Sequence, residues 1–210
     1  MSHKTDDLDH VYGAKSPDET RRVYDGWASE YDADNLRNGF WLPTLGAGCL
    51  ARYLGPTSDP VLDAGCGTGL VGQSLAVMGY GSITGCDLSP EMIEIARGSG
   101  AYAGFDVADM GASLPYADNH FAGFSCFGSF GPGHAPPSTL EHLTRVTRPG
   151  GYGAFNLIEA TYVDQGFSNV MDRLSDSGAW EIVHLSAPFL PFLLAEPDLW
   201  TRAYVVRIKE

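Results

Sequence analysis

Apolar positions follow two rhythms along this 210-residue chain. From Thr20 to about Tyr53 they recur at helical spacing, and in "VYDGWASEYD" the residues Tyr24, Trp27 and Tyr31 share one helix face. Gly39 and Pro43 interrupt that period, so two helices with a kinked joint are expected. After Pro56, short apolar runs at 60–64, 82–86, 121–127 and 152–158 alternate with helix-like segments at 69–78, 90–97 and 138–148. Strand, helix, strand in succession implies right-handed crossovers and a mainly parallel sheet with helices on both faces. Near the end, "AWEIVHLSAPF" and "LWTRAYVVRIKE" are strand-like with only a proline-rich connection, which makes them antiparallel neighbours; a helix near 166–177 precedes them. The first 20 residues are polar and show no sustained period, so they read as a loose arm. One compact α/β domain is therefore expected, with an arm and helical lid over 1–55 and the ligand-binding core over 56–210.

Composition narrows the setting. Hydrophobic residues make up 44% of the chain, enough for one filled core but not for a second large domain. No stretch approaches the roughly 20 apolar residues of a membrane span, and the polar start lacks a secretory pattern, so a cytoplasmic location without membrane contact is expected. The four cysteines, Cys49, Cys66, Cys86 and Cys126, have neither the pairing nor the spacing of a metal site, and buried reduced thiols are the plainer reading. Acidic residues outnumber basic ones 26 to 13, for a net charge of -13, and no basic cluster exceeds Arg21–Arg22. Such a surface repels phosphate backbones and argues against a nucleic-acid partner. A monomer or homodimer is the expectation.

"VLDAGCGTGLVG", residues 61–72, carries the strongest local signal. Val61 and Leu62 close a buried strand, the glycines make a turn, and Leu70, Val71, Leu75 and Met78 supply the apolar face of a helix. A turn without β-carbons lets a ligand lie against the backbone at the carboxyl end of the sheet. The dinucleotide pattern G-x-G-x-x-G/A fails because Leu70 stands in the third position, and no Gly-Lys-Ser/Thr follows for a phosphate loop. By itself the loop leaves any mononucleotide-like ligand open. Asp87 ends the next strand, with Ser89 as helix N-cap and Pro90 as first helical residue. A carboxylate there can accept both hydroxyls of a ribose, although a turn-forming aspartate is the plainer alternative. Asp109, at the end of a short third strand, can receive the exocyclic amine of adenine beside the Met110 backbone; alone it is an ordinary loop aspartate.

"VLDAGCGTGLVG", "GCDLSPEMIEIAR", "DMGASLPYADNHF" and "LEHLTRVTRPGGYGAFNL", in this order and spacing, resemble the class I S-adenosylmethionine-dependent methyltransferases over roughly residues 20–160. "VYDGWASEYDAD" and "GSFGPGH" narrow the resemblance to the methyltransferase-like proteins of the Williams-Beuren syndrome region. The resemblance implies a Rossmann-like seven-stranded sheet with an antiparallel C-terminal strand, and S-adenosylmethionine as cofactor with S-adenosylhomocysteine as product. It places Asp63, Gly65, Cys66, Gly67 and Gly69 around the methionine part, Asp87 on the ribose, Leu88 beside adenine, and Asp109 with Met110 at the adenine amine. Phe127 and Gly128 fall beneath the sulfonium, and an N-terminal helix bearing Tyr24, Trp27 and Tyr31 closes over the cofactor, one of its tyrosines reaching the cofactor carboxylate. Two departures bear on the acceptor side: Phe121-Ala122 replaces the usual Phe-Asp, and "SFGPGHAPP" is rich in glycine and proline.

Methyl transfer demands chiefly alignment and exclusion of water, and positioning alone contributes about 7 to 11 kcal/mol in favourable cases. His134, after the fourth strand, is the candidate base for a protic acceptor, against the plain reading of a surface-loop histidine. His120, His142 and His184 read as structural. Sequences that mark DNA amino-group, cytosine-C5, ribose and arginine methylation are missing, as is an acidic cluster for catechol-type magnesium. A small, partly apolar acceptor remains. The alternatives are a cofactor-binding regulator without turnover and an aminopropyltransferase on the same fold; a nicotinamide dehydrogenase is more distant.

Overall fold

The computed structural model describes residues 6–209. Helices α1 (Asp6–Gly13), α2 (Pro17–Arg37) and α3 (Leu42–Leu54) precede β1 (Val61–Ala64), α4 (Leu70–Val77), β2 (Ile83–Asp87), α5 (Pro90–Gly98) and β3 (Gly104–Val107). Then come β4 (Phe121–Cys126), α6 (Thr139–Val146), β5 (Thr147–Ile158), α7 (Glu159–Asp164), α8 (Phe167–Asp176), β6 (Trp180–Leu185) and β7 (Thr201–Ile208).

Among the described residues the strands form a seven-stranded sheet in the order β3-β2-β1-β4-β5-β7-β6. The first five strands run parallel, and β7 lies antiparallel between β5 and β6. Every residue of β1 and β4 is buried, as a strand covered on both faces requires. One core layer gathers Phe124, Phe155, Phe167 and Trp180 under α6 and α8; the other gathers Leu50, Val61, Leu75 and Val205 under α3 and α4. Strand order reverses between β1 and β4, and at such a switch point the loops after the strands part to leave a crevice. No described helix is long and apolar enough to cross a membrane.

Local chemistry explains the helix starts that matter here. Ser16 caps α2 by accepting from the Glu19 amide at 3.3 Å, with Pro17 in the first turn and Asp18 and Glu19 at the positive end of the helix. Ser89 caps α5 through the Met92 amide at 3.1 Å, again with proline next.

Several boundaries differ from the sequence reading. The arm is helical over α1, held by Val11, which is fully buried. Of the segment 1–55, the third helix is no lid: Leu42, Ala47 and Leu50 of α3 are at most 2% exposed and pack on the sheet. The third strand is short and ends at Val107, leaving Asp109 in the loop beyond it. A short extra helix, α7, follows β5.

Candidate functional site

The crevice at the switch point is a cavity of about 480 Å³, within the range of about 300 to 1,000 Å³ usual for small-ligand sites. Its floor is the β1–α4 turn. A β-carbon on Gly67 would meet nothing within 4 Å, so this backbone faces open space. Gly65, at φ +70°, has no such freedom, because a β-carbon there would strike the Ser129 hydroxyl. The bare backbone thus serves two ends: one glycine opens to the cavity, the other lets the loop after β4 close against it.

Asp87 stands on the cavity wall at the tip of β2. Its two carboxylate oxygens accept from the Gly67 amide at 2.8 Å and the Ser89 amide at 2.9 Å. Each oxygen keeps a further lone pair for a ligand hydroxyl. Burial pushes its pKa above the usual carboxylate value, these amides opposing the rise. Leu88, Met92, Ala108 and Met110 form an apolar slot between Asp87 and Asp109. Asp109 accepts from the Gly111 amide at 2.8 Å through one oxygen, and Thr139 ties down the Met110 carbonyl at 3.0 Å. Phe127 and Gly128 close the far end, where Gly128 donates its amide to Asn156 at 2.7 Å.

Helix α2 roofs this cavity and is bonded to all three loops beneath it. Thr68 in the glycine turn donates to Asp32 at 2.6 Å, Ser89 donates to Asp25 at 2.6 Å, and Thr20 donates to the Gly133 carbonyl at 2.8 Å. Tyr24, Trp27 and Tyr31 project from one face, with Trp27 and Tyr31 ring centroids 4.8 Å apart. Tyr24 also reaches His134, Oη to Nε2, at 2.8 Å. His134, in the loop after β4, lines the cavity, and burial holds its pKa below the usual imidazole value.

A second, smaller chamber of about 50 Å³ lies behind a wall made by Tyr24, Tyr31, Gly128 and His134. Its surroundings are aromatic and include Tyr12, Trp27, Phe40 and Phe192.

The large cavity brings together Tyr24, Tyr31, Gly65, Gly67, Asp87, Leu88, Asp109, Met110, Phe127, Gly128 and His134. Trp27, Asp63, Cys66 and Gly69 lie elsewhere. Trp27 borders the small chamber and donates to Asp34 at 2.9 Å. Asp63 is 1% exposed and accepts the Tyr102 hydroxyl at 2.6 Å, bracing the turn from below. Cys66 is buried, its thiol pushed well up by burial, and Gly69 packs against Ala96 and Tyr102 as the left-handed N-cap of α4. The sequence reading missed Thr20, Asp25, Asp32, Asn35, Thr68 and Asn156. Asp25 and Asp32 are seven apart on one flank of α2, a spacing that would have singled them out as a pair. Among the described residues no three His, Cys, Asp or Glu side chains are placed to hold a metal.

A mainly parallel sheet with this strand order, a glycine turn after β1, an aspartate at the tip of β2 and another beyond β3 make up the arrangement of the class I S-adenosylmethionine-dependent methyltransferases, and the chain belongs to that family. The family profile described as a methyltransferase domain matches residues 61–151. Human methyltransferase-like protein 27 is 33% identical over 165 residues, covering 75% of this chain and 66% of that protein. The ubiquinone/menaquinone biosynthesis C-methyltransferase UbiE of Bdellovibrio bacteriovorus is 35% identical over 65% of this chain and 60% of its own length. The chain thus spans slightly less than two thirds of the length of these curated relatives. In fold it is similar to a TehB-like S-adenosylmethionine-dependent methyltransferase from Corynebacterium glutamicum, with a TM-score of 0.63 and 19% identity over 90% of this chain and 99% of that one.

The residues on the cavity fit the family's cofactor. Open backbone at Gly67 suits an amino-acid moiety, Asp87 a ribose, and the slot between Leu88 and Met110 a flat purine, with Asp109 at its end.

Proposed function

We propose that this protein transfers a methyl group from S-adenosylmethionine to a small-molecule acceptor. The observation that carries this reading is the cavity of about 480 Å³ at the switch point, which gathers the open backbone at Gly67, the Asp87 carboxylate and an apolar slot ending at Asp109 around one space. When bound, the cofactor supplies an activated methyl group on a positively charged sulfur. Asp87 accepts ribose hydroxyls, Asp109 and the Met110 backbone hold the adenine edge, and the backbone from Gly65 to Gly67 borders the methionine part. The α2 roof would shield the reacting atoms from water, and the cavity walls would align the acceptor with the methyl group. Relatives named for ubiquinone and menaquinone biosynthesis support a small acceptor. An aminopropyl transfer fits less well, because a polyamine needs carboxylates and the described lining of the inner chamber has none.

The test is a calorimetric titration with S-adenosylmethionine, S-adenosylhomocysteine and NAD in parallel. The first two are expected to bind in the micromolar range and NAD not at all. Asp87→Ala should weaken cofactor binding by about 1.5 to 3 kcal/mol, the range for hydrogen bonds to a charged group. Binding of NAD alone, or unchanged affinity in the variant, overturns the assignment. Binding without methyl transfer to any thiol, hydroxyl or amine acceptor favours a regulator instead.

A further inference from the structure

A buried side chain of β5 fixes one peptide at the edge of the large cavity. Asn156 is 2% exposed; its oxygen accepts from the Gly128 amide at 2.7 Å, and its nitrogen donates to the Thr201 hydroxyl at 2.9 Å. The orientation of that side-chain amide follows from Thr201. A hydroxyl has one hydrogen, and Thr201 gives it to the Leu157 carbonyl at 2.7 Å, so toward Asn156 it can only accept. The Asn156 nitrogen must therefore face Thr201, which leaves its oxygen for Gly128. Thr201 is itself fully buried at the start of β7, so two neighbouring strands hold the setting.

What this brace sets is the direction of the Phe127–Gly128 peptide. Asn156 borders the inner chamber and not the large cavity, so the Gly128 N–H points away from the large cavity. In a planar trans peptide the carbonyl points opposite to the N–H, which turns the Phe127 oxygen toward that cavity. The Phe127 ring is packed under α3, where a β-carbon on Gly46 would strike it, so it is the backbone of Phe127 that borders the cavity. Among the described residues no loop hydrogen bond ends on the Phe127 carbonyl.

Strand order says what this carbonyl faces. The glycine turn after β1 is flanked by the tip of β2, with Asp87, and by the tip of β4, with Phe127 and Gly128. Ser129 lies against Gly65, so the β4 tip closes directly on the turn. A cofactor whose ribose sits on Asp87 and whose methionine part follows the turn brings the sulfur that joins them beside this tip. We infer that the Phe127 carbonyl recognises the positive charge of that sulfur, and that Asn156 is the positioning residue that aims it. This deepens the methyl-transfer reading and rests on it. The oxygen end of a fixed peptide dipole attracts a cation and has little hold on a neutral thioether. S-adenosylmethionine carries that charge and S-adenosylhomocysteine does not, so the same carbonyl holds the cofactor and loosens its grip on the product.

Calorimetry on wild type and Asn156→Leu tests this with S-adenosylmethionine, S-adenosylhomocysteine and sinefungin, whose ammonium group stands in for the charged sulfur. Asn156→Leu keeps the bulk of the side chain and frees the Phe127–Gly128 peptide to turn. The two cationic ligands are expected to bind the variant about tenfold more weakly, the low end for hydrogen bonds to a charged group, and S-adenosylhomocysteine less than about threefold. Thr201→Val, which removes the hydroxyl that orients Asn156, should show a smaller loss in the same sense, and it carries the test if Asn156→Leu fails to fold. A second readout needs no variant. Phe127–Gly128 and Phe130–Gly131 are the two Phe-Gly peptides in the sequence, so protein labelled with carbon-13 in phenylalanine carbonyls and nitrogen-15 in glycine reports the Phe127 carbonyl by NMR beside one companion. Its resonance should move further with sinefungin than with S-adenosylhomocysteine. Equal weakening of all three ligands would make Asn156 a structural residue only; that result, unchanged affinities, or equal carbonyl shifts each overturns the inference. If none of the three ligands binds wild type, the methyl-transfer reading falls first, which separates the two outcomes.

Discussion

Asp63 shows how one side chain can belong to a ligand motif without facing the ligand. It is the penultimate residue of β1 and is fully covered, and burial raises its pKa from 3.8 to about 7, against hydrogen bonds from Tyr102 and the Gly72 amide. Because the folded state holds this proton more tightly than the unfolded one, the contribution to stability is complete below about pH 4. It is lost as pH rises through 7. His134 acts in the opposite sense: its folded pKa is depressed, so its contribution is present above its ordinary value and lost on acidification. The difference between wild type and Asp63→Asn isolates the first effect. Melting temperatures taken in half-unit steps should show the variant gaining on wild type as pH rises from 4 to 7. Parallel profiles would mean that Asp63 is no titrating brace.

Elements rather than residues decide how the site is closed. Helix α2 is tied to the glycine turn, the α5 cap and the loop after β4, each by one short hydrogen bond from or to a polar side chain. Asp25→Ala and Asp32→Ala should each lower the local stability of α2 by about 1 kcal/mol. Hydrogen exchange should then quicken across 17–37 and leave β1 and β4 unaffected; equal acceleration in the sheet would show that α2 is part of the global fold. The inward face of this helix was legible, since Tyr24, Trp27 and Tyr31 keep helical spacing. Its partners were not, because Ser89 is 64 residues from Asp25 and Thr68 is 36 from Asp32, distances over which sequence period says nothing. The parallel core strands and the glycine turn were legible for the converse reason, that continuous burial and positive φ both restrict residue type locally. Helix α1 offers only Leu8, Val11 and Tyr12 as a short apolar stripe and did not announce itself, whereas the half-exposed β3 was legible as a short strand but with its end set at Asp109, two residues too far.

For the molecule as a whole, charge is the dominant imbalance. A net charge of -13 on 210 residues repels itself, and among the described residues ion pairs such as Arg145–Asp118, Arg148–Asp59 and Arg202–Glu159 are surface pairs of small worth. Raising sodium chloride from 20 to 500 mM is expected to raise the melting temperature by a few degrees, since screening shortens the reach of that repulsion to a few ångströms. A flat or falling trend would mean that the local pairs outweigh the net field.

The register shift between Ile182 and His184 has a consequence of another kind. Strand β6 ends the sheet, with Ile182 and Leu185 partly exposed beside an unpaired backbone edge. An edge that ran straight would offer a template on which further chains could stack into fibrils. The bulge bends that row of amides and carbonyls, and Glu181, paired with Lys209 at 2.6 Å, sets charge beside it. The irregularity at the margin of the sheet thus makes that edge a poorer seat for a further strand.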